Sequence, residues 1–113
     1  MKNSIRPFQI NIPENELNQL SERLKNTRWP DAETVSSWDQ GIPLEYAKSL
    51  TNYWINEYDW RRCEKMLNQW PNYMTSIDDI DIHFIHKPSP HPDALPIIIS
   101  HGWPGSVIEF CKV

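Results

Sequence analysis

The sequence has little glycine, little cysteine and no long apolar run. Among 113 residues there are three glycines and two cysteines. The longest apolar stretch, about Leu95 to Ile99, has the length of a strand and is too short to span a bilayer. The amino terminus has no apolar run that could serve as a signal peptide. We therefore expect no membrane anchor and a cytosolic, reducing environment.

Basic residues are too scarce for a nucleic-acid partner. The net charge is −4, and no basic cluster is denser than Trp60-Arg61-Arg62. A stacking platform for single strands would need basic residues between its aromatics, and these are lacking. Cys63 and Cys111 have no metal-type spacing, and apolar neighbours make each typical of a buried thiol. The sequence predicts no nucleic-acid partner, no metal site and no cofactor.

Tryptophan and proline, in contrast, are abundant, with six and ten residues respectively. Aromatic side chains bury large apolar areas, whereas a chain this short buries only a modest fraction of its own surface. We interpret the aromatics as packing residues. They predict that a partner, or further sequence, completes the core.

The first 71 residues predict three helices. The first begins at Pro13 and ends before Trp29. Its apolar stripe repeats at i, i+3 and i+7: Leu17, Leu20 and Leu24. A loop pinned by Trp38 spans residues 31–41, and a second helix runs from Pro43 to about Tyr58. The third begins after Asp59, an expected N-cap, and ends at Pro71.

Residues 72–113 predict the start of a sheet. A strand over Tyr73–Ile77 is followed by Asp78-Asp79, which marks a tight turn because Asp tolerates left-handed backbone. Alternating residues over Ile80–Phe84 predict a half-buried second strand, so the two strands make a hairpin. The continuous apolar run Leu95–Ile99 predicts a third strand, covered on both faces.

The third predicted strand leads into His101-Gly102-Trp103-Pro104-Gly105, and a capping box of Ser106 and Glu109 then opens a helix. A turn in this setting can present backbone N–H groups to a ligand. It is neither a phosphate loop nor a dinucleotide fingerprint, because the glycine spacing fits neither. The remaining interpretation is the oxyanion loop that follows the third strand of α/β-hydrolases and donates one backbone N–H.

Short segments along the whole chain carry a family resemblance. They are Thr27-Arg28-Trp29-Pro30-Asp31, Trp38 with Gly41 and Pro43, Tyr53-Trp54, Tyr58-Asp59-Trp60-Arg61, Leu67-Asn68, Pro71, Ile77-Asp78, Ile82-His83-Phe84-Ile85-His86 and His101-Gly102-Trp103-Pro104-Gly105-Ser106. In order and spacing they resemble the N-terminal region of microsomal-type epoxide hydrolases, from about Ile5 to the end. Asp79 departs from the pattern, because the family usually has Gly in this turn.

The resemblance implies an α/β fold class. Residues 1–71 would be a helical meander, and residues 72–113 would give the first three strands of an incomplete α/β-hydrolase fold. In the family the helical region wraps around the hydrolase domain and clasps its lid. The remainder of that domain and its lid would therefore be the partners that cover the aromatics.

The resemblance also implies a mechanism for small-molecule epoxides. An Asp attacks an epoxide carbon and forms an ester, while two lid tyrosines bind the epoxide oxygen. A His, oriented by an acidic residue, activates water to release a vicinal diol. Trp103 occupies the position whose main-chain N–H serves the oxyanion hole, on a loop with His101, Gly102, Pro104 and Gly105 and a cis Trp103–Pro104 bond.

The remaining catalytic groups are expected beyond Val113, since no aspartate here has a Gly-x-Asp-x-Gly setting. The chain alone is therefore expected to be inactive. His83, His86 and His91 are expected to be structural or solvated. His101 is expected to brace its loop by hydrogen bonding rather than to act as a base.

Two alternatives stay open at this point. The chain could be a non-catalytic interaction module, or a gene remnant, that packs on a hydrolase domain. It could also be a fragment of another α/β-hydrolase with a His-Gly-x-Pro loop, such as a dehalogenase. The long helical extension before the first strand argues against the dehalogenase.

Overall fold

The computed structural model describes residues 4–113, which contain three α-helices, one three-stranded sheet and a short 3-10 helix. The elements are β1 (Arg6–Pro7), α1 (Glu14–Lys25), α2 (Leu44–Asn56), α3 (Trp60–Leu67), β2 (Asn72–Ile77), β3 (Ile80–Ile85) and the 3-10 helix η1 (Val107–Phe110). Ile12–Trp60 form one compact unit, and residues 4–11 with Arg61–Val113 form the other. Within the described residues, no helix has the length and apolar character needed to cross a membrane.

The unit Ile12–Trp60 contains the first two predicted helices, α1 and α2, which contact each other. Pro13 and Pro43 lie at their N-cap positions in extended conformation. Acidic residues occupy the first turn of each helix, where the helix dipole favours negative charge. The predicted starts are therefore confirmed within a residue, and α2 ends at Asn56, two residues before the predicted end at Tyr58.

The loop between α1 and α2 is ordered by contacts of its own. Trp38 packs edge to face with Tyr46, with ring centroids 5.0 Å apart, so the predicted pinning of the loop by Trp38 is confirmed. Gly41 has a φ of 109°, which residues other than glycine rarely adopt. The carboxylate of Glu33 accepts the Leu44 N–H at 2.8 Å and so caps α2. Hydrogen bonds from the backbone of Leu44 and of Glu33 itself lower the pKa of Glu33.

The predicted hairpin is confirmed. Strands β2 and β3 pair antiparallel, and the pair Ile77 and Ile80 closes a two-residue turn. Asp78 and Asp79 have φ values of 51° and 61°. Positive φ at both central positions is the requirement of a type I′ turn, whose twist matches that of the strands. Asp79 therefore adopts a left-handed conformation, which the sequence predicts for this turn.

The third strand of the sheet comes from the amino terminus, which sequence reasoning missed. Strand β1 pairs with β2, with Arg6 opposite Met74, so the strand order is β1-β2-β3. The Phe8 N–H continues the pairing to the Asn72 carbonyl at 2.9 Å. A two-residue strand is too short to show a period of two, and Pro7, which lacks an N–H, is accommodated because β1 is an edge strand.

The side chain of Asn68 fixes the segment that follows β1. Its Oδ1 accepts the Ile10 N–H at 2.9 Å, and its Nδ2 donates to the Ile10 carbonyl at 2.7 Å. The amide thereby satisfies both backbone groups of Ile10, as a neighbouring strand would. The exit of α3 is in this way joined to the amino-terminal segment.

The strand predicted over Leu95–Ile99 is wrong for this chain. These residues belong to no strand, and their apolar side chains are exposed, to 96% at Ile98. A strand covered on both faces needs neighbours for its backbone and for its side chains. The described residues supply neither to this segment. The helix predicted after Ser106 is likewise reduced to the single turn of η1.

Burial is scarce throughout the described residues. Leu67 is their one buried apolar side chain, at 8% exposure. Several large aromatic residues keep more than a third of their surface exposed to solvent: Trp29, Trp38, Tyr46, Tyr53, Trp54, Tyr58 and Trp103. The aromatic residues are therefore not buried by the described residues, whereas their abundance in the sequence predicts that they pack in a core.

The buried polar residue Asn72, at 5% exposure, connects α3 to both strands of the hairpin. Its Nδ2 donates to the Leu67 carbonyl at 2.9 Å and to the Trp70 carbonyl at 2.7 Å. These bonds orient the amide, so Oδ1 is the atom that lies 2.9 Å from His83 Nε2. An amide oxygen only accepts, and His83 therefore carries its proton on Nε2. Phe8 packs edge to face with the imidazole, with ring centroids 5.3 Å apart.

Our first prediction concerns the exposed apolar side chains. We expect the isolated chain to bind 8-anilinonaphthalene-1-sulfonate and enhance its fluorescence, because the dye reports exposed hydrophobic surface. Replacing Ile97 and Ile98 together by serine should lower the enhancement and leave the far-ultraviolet helical signal unchanged. A parent chain that gives no enhancement would contradict the description of Leu95–Ile99 as uncovered.

Our second prediction concerns His83, whose pKa is lowered from 6.5 by burial. Burial disfavours the imidazolium, so nuclear magnetic resonance should place the midpoint of its ring titration below 6.5. Between that midpoint and 6.5 the unfolded chain binds more protons than the folded chain. The contribution to stability is therefore complete above pH 6.5 and is lost as the pH falls through the folded midpoint.

The matched control for His83 is Phe8→Ala, which uncovers the imidazole and leaves the Asn72 amide in place. We expect this variant to move the His83 midpoint back toward 6.5. A parent midpoint at or above 6.5, or an unchanged midpoint in the variant, would rule out burial by Phe8 as the cause.

Candidate active site

Residues 101–105 form a tight turn, called here the 101–105 turn, in which two hydrogen bonds are accepted by one carbonyl. The Gly105 N–H donates to the Gly102 carbonyl at 2.7 Å, and the Trp103–Pro104 bond between them is cis, as predicted. A cis proline at the third position makes this a type VI turn. His101 Nδ1 lies 3.1 Å from the same carbonyl and donates to it. The bracing hydrogen bond predicted for His101 is therefore present.

Trp103 is an almost fully exposed residue of the turn. Its side chain is 96% exposed. Across residues 4–113, no acceptor lies within hydrogen-bonding distance of its main-chain N–H. An amide that is held in a closed turn and has no internal acceptor is able to donate to a negative charge that forms beside it.

Gly105 is required by close packing, whereas the described residues leave space at Gly102. A Cβ added at Gly105 would overlap Glu109 Oε1 and lie 2.9 Å from the Gly102 carbonyl oxygen. A Cβ added at Gly102 would have no atom within 4 Å. The second glycine of the motif therefore has a reason within this chain.

The predicted capping box after the turn is confirmed. The Ser106 N–H donates to Glu109 Oε1 at 3.1 Å, and Ser106 Oγ accepts the Ile108 N–H at 3.4 Å. Both interactions hold the exit of the 101–105 turn against the first residues of η1. The carboxylate of Glu109 thus contacts the same residues that close the turn.

The other candidate residues lie away from the 101–105 turn. His83 is bonded to Asn72 as described, which confirms its structural role. His86 packs against Tyr73, with ring centroids 6.4 Å apart, and His91 is exposed. In the part of the chain that the structure describes, no three His, Cys, Asp or Glu side chains cluster as metal ligands would. Both cysteines are free and half-buried, less covered than the sequence predicts.

Most of the chain is similar to solved epoxide hydrolase structures. The epoxide hydrolase of Aspergillus niger matches with a TM-score of 0.83 and 34% identity, over 96% of this chain and 29% of that chain. The juvenile hormone epoxide hydrolase of the silkworm Bombyx mori matches with a TM-score of 0.78 and 35% identity, over 96% of this chain and 30% of that chain. These neighbours are α/β-hydrolases, which confirms the predicted fold class.

Curated relatives give the same result in sequence. A putative epoxide hydrolase of Stigmatella aurantiaca is 53% identical over 109 residues, which cover 96% of this chain and 25% of that protein. Epoxide hydrolase 1 of Sus scrofa is 39% identical over 114 residues, which cover 97% of this chain and 25% of that protein. The chain therefore spans about a quarter of the length of the curated relatives it matches.

The family model described as "Epoxide hydrolase N terminus" matches residues 5–110. The matched range includes the three helices, the hairpin and the 101–105 turn. The relatives and structures named above are epoxide hydrolases, so neither the dehalogenase nor the interaction module is favoured. The chain belongs to the epoxide hydrolase N-terminus family.

Proposed function

We propose that this chain supplies the N-terminal part of an epoxide hydrolase, and that the Trp103 N–H is one of the two donors of its oxyanion hole. The reaction adds water to a small-molecule epoxide and gives a vicinal diol. The observation that carries the proposal is the Trp103 amide, which the turn holds in place and which has no acceptor among residues 4–113. The supporting residues of the loop, which hold the Trp103 amide in place, are His101, Gly102, Pro104 and Gly105.

The donor acts in the second half of the proposed reaction. An Asp of the hydrolase domain first attacks an epoxide carbon, which forms the ester bond and breaks the carbon–oxygen bond of the ring, and a lid tyrosine gives a proton to the freed oxygen. Water, activated by a His, then attacks the carboxyl carbon of that ester, and the carbonyl oxygen takes up a negative charge. The Trp103 N–H and the N–H of the residue after the nucleophile donate to this oxygen. Collapse of the intermediate breaks the bond between the carboxyl carbon and the alkyl oxygen, and this oxygen takes up the proton that the His removed from water. The diol is released and the Asp carboxylate is regenerated.

The proposed partners of this chain are the remainder of the α/β-hydrolase domain and its lid. The exposed aromatic side chains and the uncovered segment Leu95–Ile99 support this assignment, because each needs an apolar surface that residues 4–113 do not supply. A cytosolic location, a division of the chain at residues 71 and 72, and the absence of nucleic-acid, metal and cofactor partners stay predictions from the sequence.

Our third prediction uses a hybrid enzyme, in which residues 1–113 replace the matching quarter of the Stigmatella aurantiaca relative. We expect the hybrid to convert styrene oxide to its diol, measured by chromatography. The 113-residue chain alone should form none, because it lacks the proposed nucleophile and base. The relative without its N-terminal quarter serves as the control. Diol formed by the chain alone would contradict its inactivity, and a folded but inactive hybrid beside an active relative would contradict the proposed function.

Our fourth prediction separates the Trp103 N–H from the Trp103 side chain. In the hybrid, Trp103→Pro removes the N–H, and hydrolysis of the ester should slow by about 10²–10³-fold. Trp103→Phe keeps the N–H and should stay close to the parent hybrid. Mass spectrometry of rapidly quenched reactions measures the alkylated enzyme, which should accumulate only with proline. Equal losses in both variants would assign the effect to the side chain and would overturn the role of the amide.

A further inference from the structure

Glu109 contacts the 101–105 turn at the point where the chain leaves it. Its Oε1 accepts the Ser106 N–H at 3.1 Å. The same carboxylate fills the space beside Gly105, since a Cβ added there would overlap Oε1 and lie 2.5 Å from Cδ. The side chain therefore holds one residue by a hydrogen bond and blocks the movement of its neighbour by contact.

These contacts reach the Trp103 amide through the backbone of the turn. Gly105, which the carboxylate packs against, donates its N–H to the Gly102 carbonyl at 2.7 Å. Gly102 and Gly105 bracket Trp103, so a shift of Gly105 changes the plane of the peptide that carries the Trp103 N–H. The main chain of Glu109 is itself fixed, because its N–H donates to the Ser106 carbonyl at 3.1 Å. The main chain of Glu109 is thus held in η1, and its carboxylate contacts the turn at Gly105.

We propose that Glu109 is a positioning residue for the oxyanion donor: its carboxylate holds Gly105 and Ser106 so that the Trp103 N–H stays aimed at the reacting ester. The inference rests on the proposed function, because only an oxyanion-hole donor gives the aim of this amide a catalytic consequence. Glu109 does not touch the ester, and it acts through Gly105 and Ser106.

The hydrogen bond, and not the charge, carries this role. A carboxylate near a developing oxyanion repels it, as any pair of like charges does. A charge-based role would therefore oppose the reaction. Glutamine has nearly the same shape, keeps an oxygen that accepts the Ser106 N–H, and removes the charge. Alanine removes both the acceptor and the group that fills the space beside Gly105.

Our fifth prediction compares Glu109→Ala with Glu109→Gln in the hybrid enzyme. Loss of one hydrogen bond in the turn should slow ester hydrolysis by about 3- to 10-fold in the alanine variant. Formation of the ester should keep its parent rate, because the oxyanion donor serves only the second step. Glutamine should restore hydrolysis to the parent rate or above it. Loss of both steps together in alanine, or equal losses in both variants, would overturn the positioning role.

A double variant gives a second kinetic test. Gly105→Ala alone pushes the Glu109 carboxylate away from Ser106, so it should slow ester hydrolysis by itself. If the two residues act as one unit, adding Glu109→Ala should cost less than it costs in the parent hybrid. Strictly additive losses would contradict the coupling between Glu109 and Gly105.

A measurement on the 113-residue chain keeps the inference separate from the proposed function. Nuclear magnetic resonance should show the Ser106 amide proton shifted upfield in Glu109→Ala and nearly unchanged in Glu109→Gln. An identical Ser106 amide in all three chains would overturn the inference, whether or not the hybrid is active. An inactive hybrid together with the expected shifts would sink the proposed function and leave the contact of Glu109 with the turn established.

Discussion

The side-chain amide of Asn72 is the contact on which the unit of residues 4–11 and Arg61–Val113 depends. Its Nδ2 donates to two carbonyls where α3 ends, those of Leu67 and Trp70, and its Oδ1 accepts the proton of His83. The main chain of the same residue accepts from Phe8. A buried amide is stabilising only when its groups are paired, and here one residue pairs a helix exit, a strand and the amino-terminal segment at once.

Elements with a local signal could be predicted from the sequence. The repeat of Leu17, Leu20 and Leu24 and the prolines before α1 and α2 predicted those helices, because periodicity and first-turn residues report on the chain around them. The hairpin was predictable because Asp78 and Asp79 accept positive φ. Strand β1 was not predictable, since Arg6–Pro7 has no period and its partner lies more than sixty residues away.

The candidate site divides in the same way. The turn, the capping box and the bracing by His101 follow from residues within nine positions of one another, and all are present. The strand expected before the turn is absent, because an apolar run becomes a strand only beside neighbours that residues 4–113 do not contain. The hydrogen bonds of Glu33, Asn68 and Asn72 to the backbone were not predicted. Those of Glu33 and Asn68 reach main chain 11 and 58 residues away, and such pairing leaves no pattern in the sequence. Those of Asn72 are local but follow no recurring motif.

The uncovered segment Leu95–Ile99 has a consequence for how a longer member of this family is made. Translation proceeds at about 5–20 residues per second, so these isoleucines leave the ribosome well before any strand that follows them. Through that interval the nascent chain exposes apolar side chains on an unpaired backbone, and such a segment can pair with other chains. Elongation speed and chaperone occupancy at residues 95–99 would then decide how much of the product escapes aggregation.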